Sequence, residues 1–475
     1  MPNNKQQEAP LSALIIGAGF GGIGLAIRLD KVGISDFLIL EKAGDVGGTW
    51  RDNSYPGAAC DVPSHLYSFS FEPRAEWSSR YSPQAEIHDY IRHCARKYHL
   101  YPRIAFDTEV SQAQFDEQSG LWHVTTSDGR EYRARSLVTA CGQLNRPIYP
   151  SIPGLDSFNG EAFHSARWRH DIDLKGKQVA VIGTGASAIQ FVPQIAPEVS
   201  KLMLFQRSAP YVIAKADRRY GKREQALLRR FPVLQKLSRS GHYLTHEMRA
   251  LAFISFPSLM KVMEGSFRKH LEKGVSDPQK RAQLVPDYPM GCKRMLISND
   301  FFPAVDRTNV ELITTDIEAI TPDGIKTKDG QEHRADVMIF GTGFAATDFL
   351  APMTIKGRGG HDLNETWRAG AEAYKGISIS GFPNLFVLYG PNTNLGHSSI
   401  IYMLESQFNY VVSCMQTLAR RGLRFIDVKP DVQSRGCDSW YQTAEGKQTN
   451  NWPGYTFSYR RLTRNPELND YECAR

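Results

Sequence analysis

Two glycine runs are the residues of this chain whose spacing bears most directly on chemistry. The first holds Gly17, Gly19 and Gly22, follows the apolar stretch Leu11 to Ile16 and opens an amphipathic segment. In such a turn the first glycine permits the tight bend, the second lets the backbone approach a pyrophosphate, and the third lets the following helix pack closely. The helix N-terminus adds unpaired N–H groups and the positive end of a dipole, both of which attract phosphate. A further strand, Phe37 to Leu40, ends in Glu41, placed to accept ribose hydroxyls. In a chain with 39 glycines the bare GxGxxG spacing arises by chance in roughly a quarter of cases, so the strand-helix-strand setting carries the reading.

A second copy follows. Gln178 to Ile182 reads as a strand, Gly183-Thr184-Gly185-Ala186-Ser187-Ala188 as the turn, and Leu202 to Phe205 as the next strand. This strand ends in Gln206, Arg207 and Ser208 instead of an acid. A guanidinium beside a hydroxyl suits a ribose 2′-phosphate, so the second site is expected to prefer NADPH, with Gly183, Gly185, Ala188, Arg207 and Ser208 as contacts. An internal repeat links the two units: DGREYRARSLVTACG, 128–142, parallels DGQEHRADVMIFGTG, 329–343. Each is a DG turn running into an apolar strand, which reads as a meander returning to its parent sheet.

The elements that position these turns follow from length and pattern. At 475 residues the chain exceeds one ordinary core, and 41% hydrophobic with 23% charged residues is a globular composition. The expected class is α/β, with two Rossmann-like dinucleotide-binding domains. Residues 1–148 and 335–475 form the first, 149–334 the inserted second. Within the insert, Ala216 to Leu284 is helical and less regular, and is expected to be a helical subdomain walling a substrate pocket. The polar N-terminus shows no secretion signal, and the most apolar remaining stretch, Leu251 to Val262, is broken by Ser255, Pro257, Ser258 and Lys261 and is too short to span a bilayer. Seven cysteines without a CxxC or CxxH pair argue against a zinc site and a disulfide framework, and fit a reducing cytoplasm. The formal charge of +7 draws on Arg218, Arg219, Lys222, Arg223, Arg229 and Arg230, whose helical spacing reads as a solvated face in preference to nucleic-acid binding.

Three runs carry a resemblance. GGTWRDNSYPGAACD, Gly47 to Asp61, matches every fixed position of [AG]-G-x-W-x-x-x-x-[FY]-P-[GM]-x-x-x-D, a pattern of Baeyer-Villiger monooxygenases, with a chance probability of about 10⁻⁶. FNGEAFHSARWR, Phe158 to Arg169, resembles the family fingerprint F-x-G-x-x-x-H-x-x-x-W-[PD], with His164 and Trp168 in place and Arg169 departing. DYPMGCKR, Asp287 to Arg294, is similar to the segment that supplies the family's 2′-phosphate lysine and its catalytic arginine, here Lys293 and Arg294. FGTGF, 340–344, and GPNTNLGHSS, 390–399, extend the resemblance over nearly the whole chain. N- and S-oxidising relatives carry Phe or Tyr where this chain has Trp168, which points to ketone oxidation.

The resemblance implies FAD in the first domain, NADPH in the second, and conversion of ketones to esters or lactones with O2 through a C4a-peroxyflavin. Arg294 is implied as the fixed cation that stabilises the peroxide and the oxyanion of the ketone adduct, a contribution of about 3–4 kcal/mol. Asp61 is implied as its catalytic partner, aiming the guanidinium and lying beside the flavin. Further implied flavin contacts are Phe20, Thr49, Trp50, Tyr67 and Val110. On the nicotinamide side, the hydroxyls of Thr184 and Ser187 are implied for the pyrophosphate and Lys293 for the 2′-phosphate. His164, in the crossover between domains, is expected to hydrogen-bond at a hinge rather than act as an acid or base. SWYQTAEGKQTNNWPG, Ser439 to Gly454, reads equally as a closing loop or as surface. The rival readings are an N- or S-oxidising flavin monooxygenase and a flavin- or nucleotide-binding regulatory protein without turnover. A disulfide reductase is disfavoured because no cysteine pair lies near the first glycine turn.

Overall fold

The computed structural model describes residues 9–254, 259–433 and 451–475. Its first sheet grows from strands that are apolar but for Ser12 at the start of the first, as strands covered on both faces must largely be. Strand β1 (Leu11–Ile16) lies between β2 (Phe37–Leu40) and the last strand of a meander, with Ile15 opposite Ile39 and Val138. Helix α1 (Phe20–Lys31) joins β1 to β2 and buries Ile23, Leu25, Ala26, Ile27 and Leu29. Beyond β2 comes β3 (Ile104–Ala105), also parallel.

The meander runs through β4 (Val110–Asp116), β5 (Leu121–Thr126) and β6 (Glu131–Thr139). The nine residues of β6 do two jobs: the first part pairs antiparallel with β5, the rest parallel with β1. Late in the chain, Phe382–Val387 adds to the other side of β6, and the long helix Ile400–Arg421 packs on α1.

The second sheet is wholly parallel. It contains β7 (Glu161–His164), β8 (Gln178–Ile182) and β9 (Lys201–Phe205), with helix α2 (Ala188–Ile195) between the last two. Val310–Ile313 pairs with β9, and Val337–Phe340 fits between β8 and β7. This last strand corrects the expected boundary at 334/335, because the second sheet reaches Phe340. Here the repeat differs from its first copy. The strand that was continuous as β6 is broken at Ala335 and Asp336, where the Asp336 carboxylate accepts the Gln178 N–H at 2.7 Å and its own N–H donates to the Gln178 carbonyl at 2.8 Å. The meander of the second copy therefore stands as a separate three-stranded sheet.

Where the chain leaves and re-enters the first unit, its two passages pair. Ile148 N–H donates to Gly343 O and Ala345 N–H to Arg146 O, both at 3.0 Å. The stretch expected to be helical holds α3 (Lys222–Arg230), α4 (Pro232–Ile254) and α5 (Leu259–Gly274). Helix α4 is fastened to the first unit by Arg239, whose guanidinium donates to the carbonyls of His65, Leu66 and Ser68 at 3.0, 3.3 and 2.7 Å. Among the described residues no helix is long and apolar enough to cross a membrane.

Candidate active site

Both glycine turns and the 47–61 run open on one cleft of about 470 Å³, a volume inside the usual range of roughly 300–1,000 Å³ for small-molecule sites. The first turn depends on its glycines. Gly17 has φ +106°, and a Cβ at Gly22 would lie 1.9 Å from the Gly17 carbonyl oxygen. Gly19 and Phe20 line the cleft, and no side chain caps the N-terminus of α1. Its N–H groups are therefore left for a bound anion.

Glu41 is buried on the cleft wall, but its carboxylate is already engaged. It accepts the N–H groups of Ala18 at 2.8 Å and Ala43 at 3.0 Å and pairs with Arg51 at 3.1 Å. It therefore braces the turn as well as lining the site. Arg51 was not foreseen, since it occupies an unspecified position of the 47–61 pattern.

Thr49 and Trp50 begin a helical turn, Thr49–Asp52, on the same wall. The Trp50 indole N–H donates to the Tyr67 hydroxyl at 3.0 Å, and the Phe20 and Trp50 rings meet Tyr67 edge-on at 5.4 and 5.6 Å. Burial raises the Tyr67 phenol well above its ordinary pKa, so it stays protonated. Val110 is buried at the start of β4 and lines the cleft with Thr108 and Glu109.

Asp61 and Arg294, 233 residues apart, meet as an ion pair between Oδ2 and Nη2. The Asp61 carboxylate, acting against desolvation, holds the Arg294 guanidinium above its ordinary pKa, so the cation persists at any working pH. The Arg294 side chain is 50% exposed, and what it faces is the cleft, so a bound molecule can reach it. Tyr389 shares this end. Its hydroxyl donates to Asn394 Oδ1 at 2.6 Å, and burial pushes its pKa up to about 12. Neither Tyr389 nor Asn394 was singled out from sequence, although both lie in or beside GPNTNLGHSS.

From the second turn, Gly185 and Ser187 line the cleft, whereas Gly183, Thr184 and Ala188 do not. Gly183 has φ +105°, and a Cβ there would stand 2.6 Å from the Gly341 carbonyl oxygen. Thr184 is buried and its hydroxyl donates to the Ser208 carbonyl at 3.4 Å. Lys293 donates to the Ser208 hydroxyl at 3.1 Å, with its ammonium 4.3 Å over the Tyr288 ring, and Arg207 is exposed next to Ser208.

A clasp between the units went unforeseen. Gln190, on α2, accepts the Tyr55 hydroxyl at 3.0 Å and the Ala59 N–H at 3.3 Å and donates to the Ala59 carbonyl at 3.0 Å. Tyr55 is the aromatic position of the 47–61 pattern, which was the available signal. Burial pushes His164 down to a pKa of about 4; its Nδ1 accepts the Ala166 N–H at 3.0 Å, and its ring meets those of Tyr149 and Phe344 where the chain crosses between units. Trp168 packs on Phe163 and Phe191 at 5.3 Å, while Arg169 makes exposed ion pairs with Asp171 and Glu161 at 2.6 and 3.5 Å. The described residues of 216–284 do not line this cleft, whose far wall is built by Tyr389, Asn394, Leu395 and Ser398; Asp217, Arg218 and Arg219 line a neighbouring pocket with Tyr55, Ala58 and Tyr81. Of the 439–454 segment, residues 439–450 lie outside the described ones, and Trp452 N–H donates to the Asn394 carbonyl at 2.9 Å.

A family described as pyridine nucleotide-disulphide oxidoreductase matches residues 14–221. Its name implies paired thiols, but the described cysteines are free, and burial raises the pKa values of Cys60 and of Cys141, the latter to about 12. A Pseudomonas aeruginosa protein named Baeyer-Villiger monooxygenase is 46% identical over 478 residues, covering 97% of this chain and 91% of that protein. The chain belongs to the Baeyer-Villiger monooxygenase family. Two solved structures share its fold across the two units. An oxidized steroid monooxygenase bound to NADP is 31% identical with a TM-score of 0.86, covering 98% of this chain and 100% of that one. An OTEMO complex with FAD and NADP is 27% identical, also with a TM-score of 0.86 and with coverage of 98% and 100%.

Proposed function

We propose that this protein binds FAD in its first unit and NADPH in its second and converts ketones to esters or lactones with O2. The residues present fit both cofactors. The uncapped N-termini of α1 and α2 both open on the cleft and offer N–H groups to a pyrophosphate, and glycines keep the approach clear. Phe20, Thr49, Trp50, Tyr67, Val110 and Glu41 are assigned to the flavin side. Gly185 and Ser187 face the NADPH pyrophosphate, and Arg207, Ser208 and Lys293 present two cations and a hydroxyl to a 2′-phosphate. Gly183, Thr184 and Ala188 shape the turn from behind. In this division the flavin unit comprises residues up to 148 and beyond 340. The cysteine usage suits the cytoplasm.

Flavin reduced by NADPH supplies the activation of oxygen. The Asp61–Arg294 pair in the shared cleft carries the functional reading. A guanidinium that never loses its charge offers fixed N–H donors to the oxyanion that forms when a ketone carbonyl is attacked. Asp61 positions the guanidinium, since a carboxylate bond restricts its plane. An oxidation of nitrogen or sulfur forms no such oxyanion on the substrate and needs no cation there.

The test is oxygen uptake with NADPH and separate ketones, aldehydes and sulfides, with products identified by mass spectrometry. Ester or lactone from ketones is expected from a yellow, flavin-bearing protein. Sulfoxide as the sole product, or a protein that stays colourless after incubation with FAD, refutes the assignment.

A further inference from the structure

Helix α4 carries its polarity the wrong way round for a helix made only for water. Its buried side is mostly polar: Gln235, His246 and Glu247 are buried there with Ala250, and Glu247 accepts the Thr456 hydroxyl at 2.6 Å. Its outer side is apolar, with Val233, Leu237, Leu244 and Met248 exposed by 65, 62, 61 and 56%. At about 100° per residue these four positions fall on one stripe. Phe231, at the exit of α3, is also 51% exposed. Single exposed apolar residues need no explanation, but four on one stripe, interrupted only by Ser240 and Gly241, do.

Charge identifies the occupant. Lys222, Arg223, Arg230 and Lys236 are exposed on the same two helices. The sequence has two carboxylates between Arg219 and Val262. One, Glu224, is paired with Arg218 at 2.7 Å, and the other is the buried Glu247. An apolar stripe with Lys236 about 90° around the helix from its centre and Lys222, Arg223 and Arg230 on the adjoining helix, none of them ion-paired among the described residues, matches an interface between acyl chains and anionic headgroups. A twofold contact between copies of this chain would set the basic rim against itself.

We propose that the outer face of α4 rests on an anionic lipid surface, with the stripe at the acyl boundary and the cations on headgroup phosphates. This docking is independent of the chemistry assigned to the cleft, and every residue it uses lies away from the cleft lining.

The test is co-sedimentation of the full-length, FAD-loaded protein with vesicles of phosphatidylcholine containing phosphatidylglycerol, and with phosphatidylcholine alone. Binding to the anionic vesicles is expected, weakening with added salt. The double variant Leu237→Ser, Leu244→Ser should bind about tenfold less or worse, and Arg230→Gln with Lys236→Gln should lose the preference for anionic lipid. Both variants should keep wild-type melting and wild-type turnover of a water-soluble ketone. Absence of binding to either vesicle, or undiminished binding by the leucine variant, overturns the proposal. So does a dimer in sedimentation velocity that the leucine variant abolishes, which would make the stripe a contact between copies.

Discussion

Replacing Arg294 and Asp61, singly and together, tests the central chemistry most sharply. The pair is partly exposed into the cleft, so melting temperatures measured beside activity separate loss of chemistry from loss of fold. Arg294→Ala removes the fixed donor to the developing oxyanion. That should cost about 3–4 kcal/mol of transition-state stabilisation, a fall of roughly 10²–10³ in ester formation. Asp61→Asn keeps cation and shape but exchanges a charge-assisted bond for a neutral one, so the guanidinium wanders. A displacement of about 1 Å at such a site costs about 10²-fold.

The double variant decides between roles. Because Asp61 acts through Arg294, removing both should cost no more than removing Arg294 alone. NADPH oxidation followed by absorbance and ester followed by gas chromatography separate the two outputs of one reaction. The expected pattern is continued NADPH consumption with hydrogen peroxide in place of ester. Ester formation retained in Arg294→Ala refutes the role of the cation. Losses that add in the double variant refute the claim that Asp61 works through it.

Three further outcomes follow from the geometry. Lys293→Ala removes the ammonium beside Ser208 and should raise the NADPH KM by about 10- to 100-fold while leaving NADH kinetics nearly unchanged; an equal effect on both coenzymes would remove Lys293 from the 2′-phosphate. Gly22→Ala forces a methyl within 1.9 Å of a backbone oxygen and should destabilise the protein by about 3 kcal/mol or more, seen as a lower melting temperature and loss of bound flavin on gel filtration. His65, His164 and His242 are each held neutral by burial, with pKa values of about 4, well below the ordinary 6.5 of a free imidazole. Since the unfolded chain binds these protons more readily, their contribution to stability is complete above pH 6.5 and is lost as pH falls toward 4. Each adds a slope of up to about 1.4 kcal/mol per pH unit, and a urea midpoint that stays flat across that window would refute the assignment.

What the sequence disclosed was governed by local rules. The β1 and β8 strands, their glycine turns and the first returning meander follow from periodicity and from backbone angles that favour glycine, and the structure has them where they were expected, whereas the second meander stands as a sheet of its own. The boundary at 335 failed because the repeat was read as one strand. A single aspartate, Asp336, breaks the second copy by bonding to Gln178, and no periodic pattern announces that. The Gln190 clasp spans 131 residues of sequence to reach Ala59, so its only trace in the sequence was the fixed aromatic position at Tyr55. The helical insertion, expected to wall a substrate pocket, matches no motif, so its contacts were not legible: its buried polar face holds α4 against the first unit, through Arg239 and Glu247.

The clasp has a consequence for the ion pair. Asp61 belongs to the first unit and Arg294 to the second, so the guanidinium is aimed only while the units stay docked. Tyr55 and Ala59 lie on the same run as Asp61, and Gln190 lies on the helix that begins at the second glycine turn. Three hydrogen bonds, each contributing about 1 kcal/mol, thus tie the run that ends in Asp61 to the helix whose N-terminus opens on the cleft from the second glycine turn. Loosening them leaves both cofactor turns intact while disturbing the distance between them. The fixed spacing of aromatic and aspartate in the 47–61 run therefore has a physical reason: one short segment must hold the neighbouring unit and orient its cation at once.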